Sequence, residues 1–77
     1  MEVDDSELDR KQAAYKVAVE EWIGAIREEE ALASGDHSVS EIDQWEEAHS
    51  REEKSRSRAK AAKKEYEDAL RLKFFGF

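Results

Sequence analysis

No cysteine and no proline occur among the 77 residues, and glycine appears only at 24, 35 and 76. Without cysteine the chain can form neither a disulfide nor a thiolate zinc site. Without proline, and with so little glycine, the two strongest helix breakers are nearly absent. Histidine is limited to His37 and His49, which leaves carboxylates as almost the whole catalytic repertoire. No Ser/His/Asp arrangement and no phosphate-binding glycine loop is present. No apolar run approaches the roughly 18 residues of a membrane span. The acidic opening Met1-Glu2-Val3-Asp4-Asp5 has no hydrophobic segment of the secretory kind. The expectation is a cytoplasmic, non-enzymatic protein without cofactors.

What is present is helix-forming sequence on either side of Ser34-Gly35-Asp36-His37-Ser38. The expected fold is an all-α, two-helix antiparallel hairpin: a single domain over 1–77, with helices near 5–33 and 39–74 and a turn at 34–38. Asp5 or Ser6 can cap the first helix, and Gly35 suits the left-handed position after its end. Ser38-Val39-Ser40-Glu41 has the form of a capping box for the second helix. In the first helix Leu8, Tyr15, Val19, Trp22, Ile26 and Leu32 recur at spacings of three, four and seven, with Ala18, Ala25 and Ala33 beside them. Such spacing makes one apolar stripe. Gly24 interrupts it, as a tolerated glycine or as a point where another helix backbone approaches. The second stripe opens with Ile42 and Trp45 and resumes at Ala59, Ala62, Tyr66, Ala69, Leu70 and Phe74. Residues 49–58 contain nothing apolar, and a helix crossing them must rely on Glu–Lys/Arg pairs along its own surface.

Of the 30 apolar residues, 11 are alanine, so the core is poor in bulk. A chain this short rarely draws more than about 3–5 kcal/mol from a single core. With no disulfide or thiolate metal site to help, oligomerisation is the remaining support, and the expectation is a homodimer forming a four-helix bundle, with coiled-coil-like packing. In architecture alone this resembles small bacterial helical-hairpin dimers; no motif is matched, and no functional residue carries over. Folding about the turn sets residue i opposite roughly residue 71 minus i. That register pairs Ile26 with Trp45, leaves Tyr15, Val19 and Trp22 facing the polar gap, and pushes Leu70, Leu72, Phe74, Phe75 and Phe77 past the start of helix one. These eight residues are the expected partner interface, since uncovered apolar patches mark interaction sites.

Net charge is −7 but unevenly spread: residues 34–53 carry seven acids and one base, and residues 54–77 eight bases and three acids. The block Lys54, Arg56, Arg58, Lys60, Lys63, Lys64 could bind nucleic acid or an anionic membrane. In the expected register it lies instead beside Glu2, Asp4, Asp5, Glu7 and Asp9. It also has no interleaved aromatics for stacking on bases. The expected partners are therefore a second copy and a further protein, ahead of nucleic acid and membrane. One metal-like pattern exists. Glu46 and His49 form Glu-x-x-His, the spacing di-iron carboxylate bundles use, and a dimer would supply it twice, with Glu20, Glu21 or Glu29 as the helix-one donor. The plainer alternative is a solvated His49. Three functions are thus compared: a non-catalytic interaction or adaptor protein, a nucleic-acid-associated regulator using 54–64, and a dimeric metal site.

Overall fold

The computed structural model describes residues 5–33 and 38–76. They form two helices, α1 (Asp5–Leu32) and α2 (Val39–Phe75), packed antiparallel as a hairpin. The expected boundaries hold to within a residue; the expected turn positions 34–37, Gly35 among them, lie outside the described residues. Ser38 has extended backbone and its hydroxyl accepts from the Glu41 N–H at 3.2 Å, the N-cap bond that supplies a partner for one orphan donor. Gly76 closes α2 in the left-handed conformation, φ 78°, and its N–H donates to the Leu72 carbonyl at 3.2 Å. At that φ a side chain would be strained, so glycine is the natural stop.

Helix α2 runs unbroken through the polar stretch 49–58. Its own surface supplies Glu52–Arg56 at 3.8 Å, Glu53–Arg56 at 3.9 Å and His49–Glu53 at 3.1 Å. Helix α1 supplies more: Glu29 to His49 at 3.0 Å, Glu28 to Arg51, and Glu21 to Arg58 at 4.0 Å.

The register differs from the expected one. Asp5 meets Lys73, Leu8 packs on Ala69, Glu21 meets Arg58, Glu28 meets Arg51 and Glu29 meets His49, so residue i lies opposite 78 − i to within a residue. This is a slide of seven residues from a fold centred on the turn. At 1.5 Å per residue α2 is about 56 Å long and α1 about 42 Å. The molecule measures 55 Å end to end, so α1 lies wholly within the span of α2. Three expectations change in consequence. The overhang lies at the turn end, where residues 39–45 run past Leu32, while at the other end α2 is covered as far as Lys73. Trp45 stands beyond the end of α1 instead of pairing with Ile26, and both remain about two-fifths exposed. Tyr15, Val19 and Trp22 fall level with residues 56–63, a stretch that includes Ala59 and Ala62 as well as Arg56 and Lys63.

The seam repeats every seven residues. In α1 it follows Leu8, Tyr15, Trp22, Glu29 and Lys11, Ala18, Ala25, Leu32; in α2 it follows Ala48, Ser55, Ala62, Ala69 and Glu52, Ala59, Tyr66, Lys73, all of them buried or half-buried. A seven-residue period keeps two helices in contact along their length. The most buried positions are small: Ala48 (1% exposed), Ala59 (3%) and Ser55 (5%). Among the described residues no large side chain is fully buried. The helices thus touch through alanine and serine, and most larger residues lie at the seam's margins.

Candidate functional site

Helical spacing divides the hairpin into two unlike edges. Residues four beyond the Tyr15/Trp22 lane (Val19, Ile26), together with Ile23, turn to one side. On α2 the same side takes Val39, Ile42, His49, Arg56, Lys63, Leu70 and Phe74. The Glu29–His49 bond crosses the seam there. We term it the Trp edge. Residues four before the Ala25/Leu32 and Ser55/Ala62/Ala69 lanes turn to the other side: Glu21, Glu28, Arg51, Arg58 and Glu65, with Leu72 a heptad beyond Glu65. The Glu28–Arg51 and Glu21–Arg58 pairs cross the seam on this Arg edge.

The edges differ in what they expose. Ile23, Ile26, Val39, Ile42, Trp45 and Phe74 are exposed on the Trp edge, against Val17, Leu72 and Phe75 on and behind the Arg edge. Tyr15, Val19, Trp22 and Leu70, expected at an interface, are half-buried along the Trp edge, with Leu70 packed on Leu8 and Ala69. Leu72, Phe74 and Phe75 are exposed near the end of α2, and Phe77 lies outside the described residues. Lys73 bonds to Asp5 and holds its ammonium 5.9 Å from the Phe74 ring centre, within cation–π range. Ile23, Val39 and Ile42 are surface residues that the sequence reading left out of the interface. Their signal is position: each falls on the flank that the Tyr15/Trp22 and Trp45 lanes define once the register is known.

The Arg edge holds an open groove between Gly24-Ala25 and Ser55, bordered by Arg51, Lys54 and Arg58. A Cβ added at Gly24 would meet nothing within 4 Å, so no close helix approach within the hairpin requires that glycine. Two of the three cations there are already matched by Glu28 and Glu21. Elsewhere in the basic block, Lys63 reaches Glu67 at 3.8 Å, Lys64 reaches Asp68 at 2.8 Å and Arg56 reaches two glutamates. Its neutralising acids are therefore chiefly on α2 itself, instead of the expected run at 2–9. Lys54 and Lys60 make no ion pair among the described residues. Asp68 accepts from both Lys64 and Arg71, and the Lys64 hydrogen bond leads in holding its carboxyl below the ordinary range.

His49 is the most elaborated polar side chain. Its Nδ1 meets Glu29 across the seam and its Nε2 meets Glu53 one turn on. The Glu29 hydrogen bond, then the Glu53 charge, raises its pKa above 6.5, favouring an imidazolium that donates from both nitrogens. Of the metal candidates, Glu46 and His49 share the Trp edge, while Glu21 faces Arg58 on the opposite edge. Glu29, not Glu21, reaches His49. Among the described residues no cluster of three or more His, Asp or Glu could hold a metal ion, and no helix is long and apolar enough to cross a membrane. The Trp22 indole N–H is buried without an acceptor among the described residues.

No family model matches the chain, and no curated protein or solved structure matches it.

Proposed function

We propose that this protein is a small non-catalytic helical interaction module that associates through the Trp edge, first with a second copy of itself and in that form with a further protein. The observation carrying this reading is the distribution of bulk. The seam's most buried residues are alanine and serine, whereas Ile23, Ile26, Val39, Ile42, Trp45 and Phe74 line one edge in contact with solvent. Large apolar side chains gathered on one side of a hairpin lower the free energy only when something covers them. The charged groups support a structural role as well: His49, Arg51 and Arg58 join the two helices, and Arg56, Lys63, Lys64 and Arg71 sit on acids of α2 itself. That leaves little cation free for polyanions and supports placing protein ahead of nucleic acid.

Sedimentation equilibrium across a range of concentrations tests the reading. Reversible self-association is expected, with a melting temperature that rises with protein concentration by mass action. A well-folded monomer whose melting is independent of concentration would refute it.

A further inference from the structure

We infer that two copies pack Trp edge to Trp edge in an antiparallel two-fold arrangement, α1 on the partner's α1 and α2 on the partner's α2, with the middle of α2 at the axis. This rests on the association reading above and fixes the orientation that reading leaves open.

The charge along α2 is the first argument. Residues 39–53 hold six carboxylates and one arginine, a net of −5, and residues 54–75 hold eight bases and three acids, a net of +5. The helix is a rod with an acidic half and a basic half. A parallel pairing gathers the two acidic halves at one end of the bundle and the two basic halves at the other, which opposes association. An antiparallel pairing lays each acidic half along the partner's basic half.

The apolar side chains give the same answer independently. The midpoint of Val39–Phe75 is residue 57, so an antiparallel partner sets residue j of α2 opposite residue 114 − j. Val39 then meets the partner's Phe74 and Ile42 the partner's Leu70, each within about half a turn. All four lie on the Trp edge, and Val39, Ile42 and Phe74 are exposed in the single hairpin. The hairpin register puts residue 21 of α1 level with residue 57 of α2, so α1 meets its copy about that point. Val19 and Ile23 straddle it symmetrically, and each falls opposite the other in the partner. Thus the centre and both ends of the edge come out apolar against apolar. Between them Glu53 falls opposite the partner's Lys60. Glu67, the carboxylate on the basic half of this edge, already sits 3.8 Å from Lys63 and 3.4 Å from Arg71. A parallel two-fold would lay α1 on the partner's α2 and set Val19 and Ile23 against Glu53, Arg56 and Lys60.

The absence of cysteine makes a single introduced thiol a clean reporter. Asp43, on the exposed outer face of α2, can be changed as Asp43→Cys and spin-labelled, and the label separation read by double electron–electron resonance alongside sedimentation equilibrium. In the antiparallel dimer residue 43 lies level with the partner's residue 71, which separates the labels by about 42 Å along the axis. A parallel dimer holds the labels level, at less than about 30 Å across a bundle whose helices are 8–10 Å apart. A dimer with the long distance, weakened as salt screens the two charged halves, is the expected result. A dimer with the short distance overturns the antiparallel arrangement and leaves the association reading standing. A monomer at every concentration overturns both. As a further check, Ile23→Glu is expected to weaken association at least tenfold, while Val17→Glu, on the back of α1, leaves it unchanged; equal effects of the two would refute the assignment of the edge.

Discussion

Ala59→Leu tests whether small residues in the seam set the distance between the helices. Ala59 is 3% exposed and, by the register, lies level with Ala18, itself 9% exposed, with Ser55 a turn away at 5%. Leucine adds three carbons at a position where the buried neighbours Ala18 and Ser55 have only short side chains. Two effects compete. Burying the larger side chain is worth about 1.5–3 kcal/mol if there is room for it. Forcing it into a packed seam costs about 1–3 kcal/mol through displaced helices or an off-rotamer side chain. In a close-contact seam the second effect wins and also undoes neighbouring contacts, so a net loss of about 1–3 kcal/mol is expected. For a hairpin this small, that is a large share of its stability. Urea unfolding followed by far-UV circular dichroism measures it, at one protein concentration because association and folding are linked. Ala61→Leu, on the exposed outer face, is the control and should stay within about 0.5 kcal/mol of the parent. An Ala59→Leu protein with an equal or higher midpoint and an unchanged m-value would show a loose seam and refute the reasoning.

Gly24→Ala should stabilise the hairpin by about 1 kcal/mol, because glycine is that much poorer inside a helix and a Cβ there meets nothing within 4 Å; a lower thermal midpoint would mean a neighbour approaches that point. His49 gives a pH dependence whose sign follows from its raised pKa: the contribution is fully present below pH 6.5 and is lost as pH rises through the higher folded value. Thermal midpoints should therefore fall across neutral pH more steeply for the parent than for His49→Gln, and identical profiles would dismiss the Glu29–His49–Glu53 bridge. Ser38→Ala removes the hydroxyl that accepts from Glu41 N–H and should cost about 1 kcal/mol in urea unfolding, with an unchanged midpoint counting against a formed cap.

The helices were legible in the sequence because their signals are local. Ser38 with Glu41 three residues on, Gly76 at the far end, and the lack of any breaker between them set α2 to within a residue. The register was not legible from the turn. Seven residues of helix span about 10 Å, and the six residues 33–38 can reach about 20 Å when extended, so the connection tolerates a one-heptad slide. A slide of seven residues keeps the same lanes in the seam, so what decides it is which partners meet. The observed register sets Leu8 on Ala69 and Glu28 and Glu29 against Arg51 and His49, whereas centring on the turn would have set Leu8 level with Lys63, Glu28 with Asp43 and Glu29 with Ile42. The seam itself was signalled by small residues recurring at 48, 55, 62 and 69 and again at 18 and 25. Alanine is easily passed over as filler, although in a close-packed seam it determines the spacing. Of the eight expected interface residues, Tyr15, Val19, Trp22 and Leu70 are half-buried along the Trp edge, Leu72, Phe74 and Phe75 are exposed near the end of α2, and Phe77 lies outside the described residues. Val39 and Ile42, at the turn-end overhang, were not among them, because placing that overhang required the register.

A seam of alanines brings two backbones close but removes little apolar area from water, since each methyl contributes far less than a leucine or phenylalanine would. The hairpin therefore separates two tasks that most small domains combine. Alignment is set in the seam, by small side chains and by bridges such as Glu29–His49 and Asp5–Lys73. Much of the bulky apolar surface is displaced to the Trp edge, where a single copy leaves it in solvent. Exposed ion pairs add at most about 1 kcal/mol each, so they can choose the register without supplying the missing burial. The unequal helix lengths follow the same division. Were α2 no longer than α1, Val39, Ile42 and Phe74 would be missing, and with them the apolar ends that the proposed antiparallel partner would bring together. The overhang is thus the part of α2 that the hairpin does not use and that the proposed association would.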